Sequence, residues 1–170
     1  GLLVTGEFGD KLGALLLQLP PDFDALQFDT LTAFADTLAS GRSGVAGLPW
    51  VVEVRHATWT DTDIAATLAE RGISVATTER TDCGGALRYV RLLGIENSVA
   101  RFDERQFDRG MEIADWARRL AEARQSSPEP IYVFVRNFFE GHAPATIADL
   151  RERLGLPNAT PPGQKQLSLF

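Results

Sequence analysis

The sequence predicts an α/β fold built on a parallel sheet. Three observations carry that prediction. Short apolar runs rich in branched side chains recur along the chain, mostly separated by segments with helical periodicity. These runs are almost continuously apolar, as expected of strands covered on both faces. Polar residues gather at their C-terminal ends, where parallel α/β folds collect ligands because loops and helix N-termini converge there.

Five strands are expected, at 14–19 (ALLLQL), 50–56 (WVVEVRH), 73–77 (ISVAT), 87–93 (LRYVRLL) and 131–137 (IYVFVRN). Three helices are expected between and after them. Thr60 and Asp63 form a capping-box pattern ahead of Ile64, Ala65 and Leu68, with Gly72 as the stop. A second helix runs over about 107–124, with Ile113, Ala117, Leu120 and Ala121 on one face. Pro144 suits the first position of a third helix, whose stripe Ile147, Leu150 and Leu154 ends at Gly155. The connection 78–86 is too short for an ordinary crossover helix. Beyond Gly155 the composition turns to Pro, Gly and polar residues, so the chain divides into a folded part, 1–156, and a flexible tail, 157–170.

Composition narrows the function classes. The 170 residues are 44% apolar and carry 17 basic against 23 acidic side chains, a net charge of −6. That balance opposes broad adhesion to nucleic acid or anionic lipid, although a local basic pocket is compatible with it. A single cysteine, Cys83, excludes an internal disulfide. No apolar run approaches the roughly 20 residues that cross a bilayer, and the N-terminus carries no secretion signal pattern, so the cytoplasm is the expected location.

The candidate site follows from the strand ends. Gln18 closes the first run; Glu53, Arg55 and His56 close the second; Arg91 is late in the fourth, and Asn137 ends the fifth beside Arg136. Alternation puts Glu53 and Arg55 on one face. If that face is interior, the two charges are compensated by each other, as an ion pair that only fixes packing, or by a ligand. Arg91 offers a planar donor to phosphate or carboxylate, or else a salt bridge to Glu53 or Glu79. His142 follows Gly141 and precedes a helix start that favours anions, or else merely shapes that turn. Trp50, Trp59 and Trp116 read as packing residues, with Trp59 placed to wall a pocket beyond the second strand.

Other chemistries have less support. Glu53, His56, Glu79 and His142 are suitable ligand types but lack a compact metal-ligand spacing, so no metal is assigned, and no motif identifies a cofactor. There is no G-x-S-x-G elbow, and Cys83 beside Gly84 and Gly85 has no identifiable base. The leading expectation is therefore a mouth that binds a small anionic ligand, phosphorylated ones included. Glu53 and His142 would act in acid/base chemistry of the kind a hydrolase uses, and Arg55 and Arg91 would hold the anion.

Taken together, the blocks LGALLLQLPPDF, VVEVRHATW, LRYVRLLG, FDERQFDR, WARRL, IYVFVRNFFEGHAPATIADL and QLSLF resemble the YecE-like family, domain of unknown function 72. The blocks appear in family order over most of the chain. The resemblance implies a TIM-barrel-like fold, with Glu53, Arg55, His56, Trp59, Arg91, Asn137, Gly141, His142 and Pro144 at motif positions around the barrel mouth. It names no reaction. Two positions depart from the family pattern: RLHG is Arg91-Leu92-Leu93-Gly94 here, and an Asn-Asn pair is Arg136-Asn137. The family also carries a segment ahead of the LGALLLQLPP block that supplies the first strands. A whole barrel needs about 250 residues and eight strands, so the expectation is an incomplete barrel of about five strands, its C-terminal portion.

The tail carries a second resemblance. Gln166-Leu167-Ser168-Leu169-Phe170 is similar to the short peptide by which bacterial repair and replication proteins bind the DNA sliding clamp. In that mode Gln166 anchors one end while Leu167, Leu169 and Phe170 meet apolar subsites. The alternatives are a DNA-maintenance adaptor or a tip that folds back onto its own domain.

Overall fold

A computed structural model of the chain describes residues 11–40 and 47–157. The tail motif, Gln166 to Phe170, lies outside these residues. Among the described residues there are six parallel strands: β1 (Leu15–Gln18), β2 (Trp50–Glu53), β3 (Ser74–Val75), β4 (Thr77–Thr78), β5 (Tyr89–Leu92) and β6 (Tyr132–Val135). Four helices accompany them: α1 (Phe28–Ala39), α2 (Ile64–Ala69), α3 (Gly110–Ser126) and α4 (Ala143–Arg153). The strands form two three-stranded sheets in sequential order, β1-β2-β3 and β4-β5-β6.

The fold class is thus the expected parallel α/β, with two corrections to the architecture. No closed barrel exists among the described residues. The run predicted as one strand at 73–77 also serves both sheets: Val75 pairs with Val52, and Thr77 pairs with Val90. Between them the Ala76 amide still donates to Val52 O at 2.8 Å. The chain passes from one neighbour to the other within a single residue, which breaks the ladder in two. The next connection, 79–88, contains no helix, as its length required.

Alternation sorts the strand residues between two environments. Leu17, Val52, Val54 and Val75 pack with Leu31, Ala35 and Leu38 of α1 and Ile64 and Leu68 of α2. Val90, Leu92, Val133 and Val135 pack with Ile113, Trp116, Ala117 and Leu120 of α3 and Leu150 of α4. The opposite face contributes a third cluster of Leu16, Val51, Ala76, Tyr89 and Tyr132. Gly13, just ahead of β1, lies against the Tyr132 ring of β6, where an added Cβ would come within 2.8 Å of three ring-end atoms. Side chains of the first and last strands therefore share one packed space.

The helices refine the expectations. α1 is not among the expected helices, and its buried Leu31, Ala35 and Leu38 follow i, i+4, i+7 spacing. Its Thr30, Thr32 and Phe34 are weak helix formers, so packing rather than propensity holds it. The capping box ahead of α2 does not form. Thr60 instead lies in a 3-10 turn at Ala57–Asp61, Asp63 makes no side-chain cap, and Thr62 Oγ1 accepts the Ile64 amide at 3.4 Å. Gly72, with φ +70°, closes the segment as expected. α3 begins at Gly110 rather than 107, because the Phe107 amide donates to Glu140 O. In α4, Ile147 is exposed and Thr146 takes the buried position with Leu150.

Candidate functional site

β1 and β2 run in register, so Gln18 stands beside Glu53, and β4 and β5 place Thr78 beside Arg91. These four residues, together with Arg55, Arg80, Thr81, Glu96 and Arg136, line a cavity of about 240 Å³ at the C-terminal ends of the strands. Glu53 is fully buried. Its Oε2 accepts from Arg91 Nη1 at 2.5 Å, a charge-assisted contact that bridges the two sheets. The other oxygen, Oε1, is buried and has no hydrogen-bond partner among the described residues. Nearby, burial raises the Tyr89 phenol above its ordinary pKa; Arg91 opposes that rise and Glu53 adds to it.

The cationic side of the cavity comes from three loops. Arg55 follows β2 and is exposed, with neither an ion pair nor a hydrogen bond among the described residues. Arg80 donates through Nη2 to Gly94 O, and Arg136 stands 3.7 Å from Glu96 while lying over the Phe138 ring. Glu79 holds the same region together by accepting the Leu93 amide at 2.9 Å and the Gly94 amide at 2.6 Å. It is therefore occupied by backbone and is not the partner of Arg91. Gly94 has φ +68°, and any side chain there would run into the Phe138 carbonyl. Glycine is required because the loops after β5 and β6 touch at this point.

The remaining predicted site residues are placed elsewhere. His56 opens the 3-10 turn; its Nδ1 is 2.9 Å from Thr58 Oγ1 and accepts the Thr58 amide. Trp59 does not wall the cavity. It is fully buried on the helix side, stacked on Phe23 and Phe28, with Nε1–H donating to Phe23 O at 2.7 Å. Asn137 Oδ1 accepts the Ala143 amide at 2.9 Å and so caps α4. Gly141, at φ +113°, packs against the Glu104 carbonyl. His142 is the residue before α4 and makes no side-chain cap. None of these five lines the cavity: the turn after β6 carries Asn137 to His142 toward α4, His56 opens the 3-10 turn after β2, and Trp59 is turned into the core beneath α1 and α2.

One buried acid escaped the sequence reading. Glu140 takes the Thr146 hydroxyl at 2.6 Å and the Arg109 amide at 3.3 Å, while Arg105 Nε lies 3.4 Å away. Its own carbonyl accepts the Gln106 amide at 2.6 Å, which fastens the loop before α3 to the turn before α4. The EGHAPAT block held the signal, an acid ahead of a Pro-started helix with Thr146 inside it.

A wider cleft of about 660 Å³ lies between the loop after β4 and α3. Its acids are all engaged: Asp82 with Arg119 at 2.5 Å, Glu112 with Arg109 at 3.0 Å, Asp115 with Arg118 at 2.6 Å, and Glu79 with the two amides. No unanswered group marks it for a ligand. Burial, aided by Asp82, pushes the Cys83 thiol up to about 11, which disfavours the thiolate. Among the described residues no three of His, Cys, Asp and Glu come together as a metal site, and no helix is long and apolar enough to cross a membrane.

Comparison with known proteins gives the family. The model of the protein family of unknown function DUF72 matches residues 3–167, which agrees with the YecE-like motifs. No curated protein matches. The fold is similar to the crystal structure of a DUF72 family protein from Enterococcus faecalis, with a TM-score of 0.61 and 17% sequence identity over 87% of this chain. The chain spans 61% of that structure's length, and at this identity the likeness concerns the fold. Since the family model covers nearly every residue, the chain belongs to the DUF72 family.

Proposed function

We propose that the cavity at the strand ends binds a small anionic ligand, phosphorylated compounds included, and that Glu53 acts on it as a general acid or base. The observation that carries this reading is the buried Glu53–Arg91 pair at the cavity wall, with one carboxylate oxygen unanswered. A pair that served packing alone would be better satisfied, because each unpaired buried polar atom costs about 1–3 kcal/mol. Arg55, exposed and unpaired among the described residues, supplies the anion-binding charge. The six strands are read as a sector of a TIM-barrel-like fold, supported by their sequential parallel order and by the contact of Gly13 with Tyr132. A crystal structure in which β1 and β6 share no packed space would overturn that sector.

Thermal denaturation in graded inorganic phosphate, at constant ionic strength, tests the binding. Phosphate at one hundred times its dissociation constant should stabilise the chain by about 2.7 kcal/mol. Arg55→Ala should remove that stabilisation without lowering the melting temperature in phosphate-free buffer. An unchanged melting temperature across the titration rejects an anion site.

A second reading rests on the sequence of the tail. Gln166 to Phe170 would dock on a bacterial sliding clamp through Leu167, Leu169 and Phe170, with Gln166 at the polar end. Surface-immobilised clamp should capture the chain, and the double change Leu169→Ala, Phe170→Ala should abolish capture. Capture that survives the double change rules this mode out.

A further inference from the structure

We infer that the ligand of the Glu53 cavity carries a hydroxyl group beside its anionic group, as a phosphorylated polyol or sugar does. This rests on the anion-binding reading above and adds what the second end of the ligand must be. Glu53 Oε1 has no donor among the described residues although it is buried, and an ionised carboxylate oxygen in that position requires one. The donor must come from a neutral group. Arg91 already answers the Glu53 charge through Oε2, Arg136 stands near Glu96 and Arg80 near Glu79, which leaves Arg55 as the lining cation without an acid among the described residues. A second ammonium or guanidinium would add to an excess of positive charge, whereas a hydroxyl would not.

The spacing fits one small molecule. Glu53 and Arg55 are two residues apart on β2 and its continuation, about 6.6 Å of rise on one face. A molecule with an anionic group at Arg55 and a hydroxyl a few carbons away can reach both side chains, which line the same cavity. The volume, about 240 Å³, lies below that of the usual drug-sized pocket, and Gln18, Thr78 and Thr81 make the walls largely polar. Glu53 lines this cavity beside the exposed Gln18 and Arg55.

Isothermal titration of the wild-type chain with glycerol 3-phosphate, n-propyl phosphate and inorganic phosphate tests the inference. The first two differ in hydroxyls and little in size or charge. Glycerol 3-phosphate should bind at least about tenfold more tightly than n-propyl phosphate, since a site built for a hydroxyl rejects the analogue that lacks it. Glu53→Gln, which turns the acceptor face into a mixed one, should remove that preference. Equal affinity of the two esters for the wild type, or a preference that survives Glu53→Gln, overturns the hydroxyl while leaving the anion site standing. If none of the three binds, the anion reading itself fails and takes the inference with it. The wild-type comparison decides the matter even if the variant does not fold.

Discussion

Arg91→Ala should destabilise the chain by about 3–5 kcal/mol, because it leaves the Glu53 carboxylate buried with no partner on either oxygen among the described residues. For a chain of this size that corresponds to a fall in melting temperature of roughly 10 °C or more. The Arg91 side chain is 19% exposed and that of Glu53 only 1%, so solvent cannot take over the lost contact as it does for a surface pair. The pair also joins the β1-β2-β3 sheet to the β4-β5-β6 sheet at a point where the ladder between them is broken at Ala76. Adding Glu53→Gln to Arg91→Ala should recover part of the loss, since the buried charge is then gone. Urea unfolding measures both. A loss below about 1 kcal/mol for the single change would mean that water reaches Glu53 and that the pair behaves as a surface one.

Trp59→Ala should cost a comparable amount, about 3–5 kcal/mol, by emptying the largest fully buried side chain of the α1–α2 core. Three contacts disappear together: the stack on Phe23 at 5.9 Å, the stack on Phe28 at 6.2 Å and the indole donation to Phe23 O. Anion affinity, measured well below the reduced melting temperature, should stay within a factor of two, because Trp59 lines no part of the Glu53 cavity. A stable variant that loses phosphate binding would return Trp59 to the pocket wall.

Much of the fold was legible from residue pattern. The strand β2 was recognisable because Trp50, Val51, Val52 and Val54 form an apolar run interrupted only by Glu53, and the polar Arg55 and His56 follow where the chain has left the sheet. Helix α1 was not legible, since its Thr- and Phe-containing sequence has low propensity and its three inward residues matter only once β1 and β2 lie beneath them. The division of 73–77 was equally hidden, because a change of hydrogen-bonding neighbour leaves no mark on a five-residue apolar run.

The site divides in the same way. Strand position and alternation alone determined that Glu53 and Arg55 share a face and that Gln18 and Arg91 sit at strand ends, while the motif blocks carried the resemblance to the DUF72 family. Only the tertiary structure decided which of those residues meet. Arg91 reaches Glu53 across 38 positions of sequence, Glu79 turns to the Leu93 and Gly94 amides, and Trp59 and His142 leave the mouth for packing and a helix start. Local sequence sets which way a side chain points from its own strand. Which distant charge it finds is set by the register between strands and the path of the loops, and these depend on the whole core being packed at once.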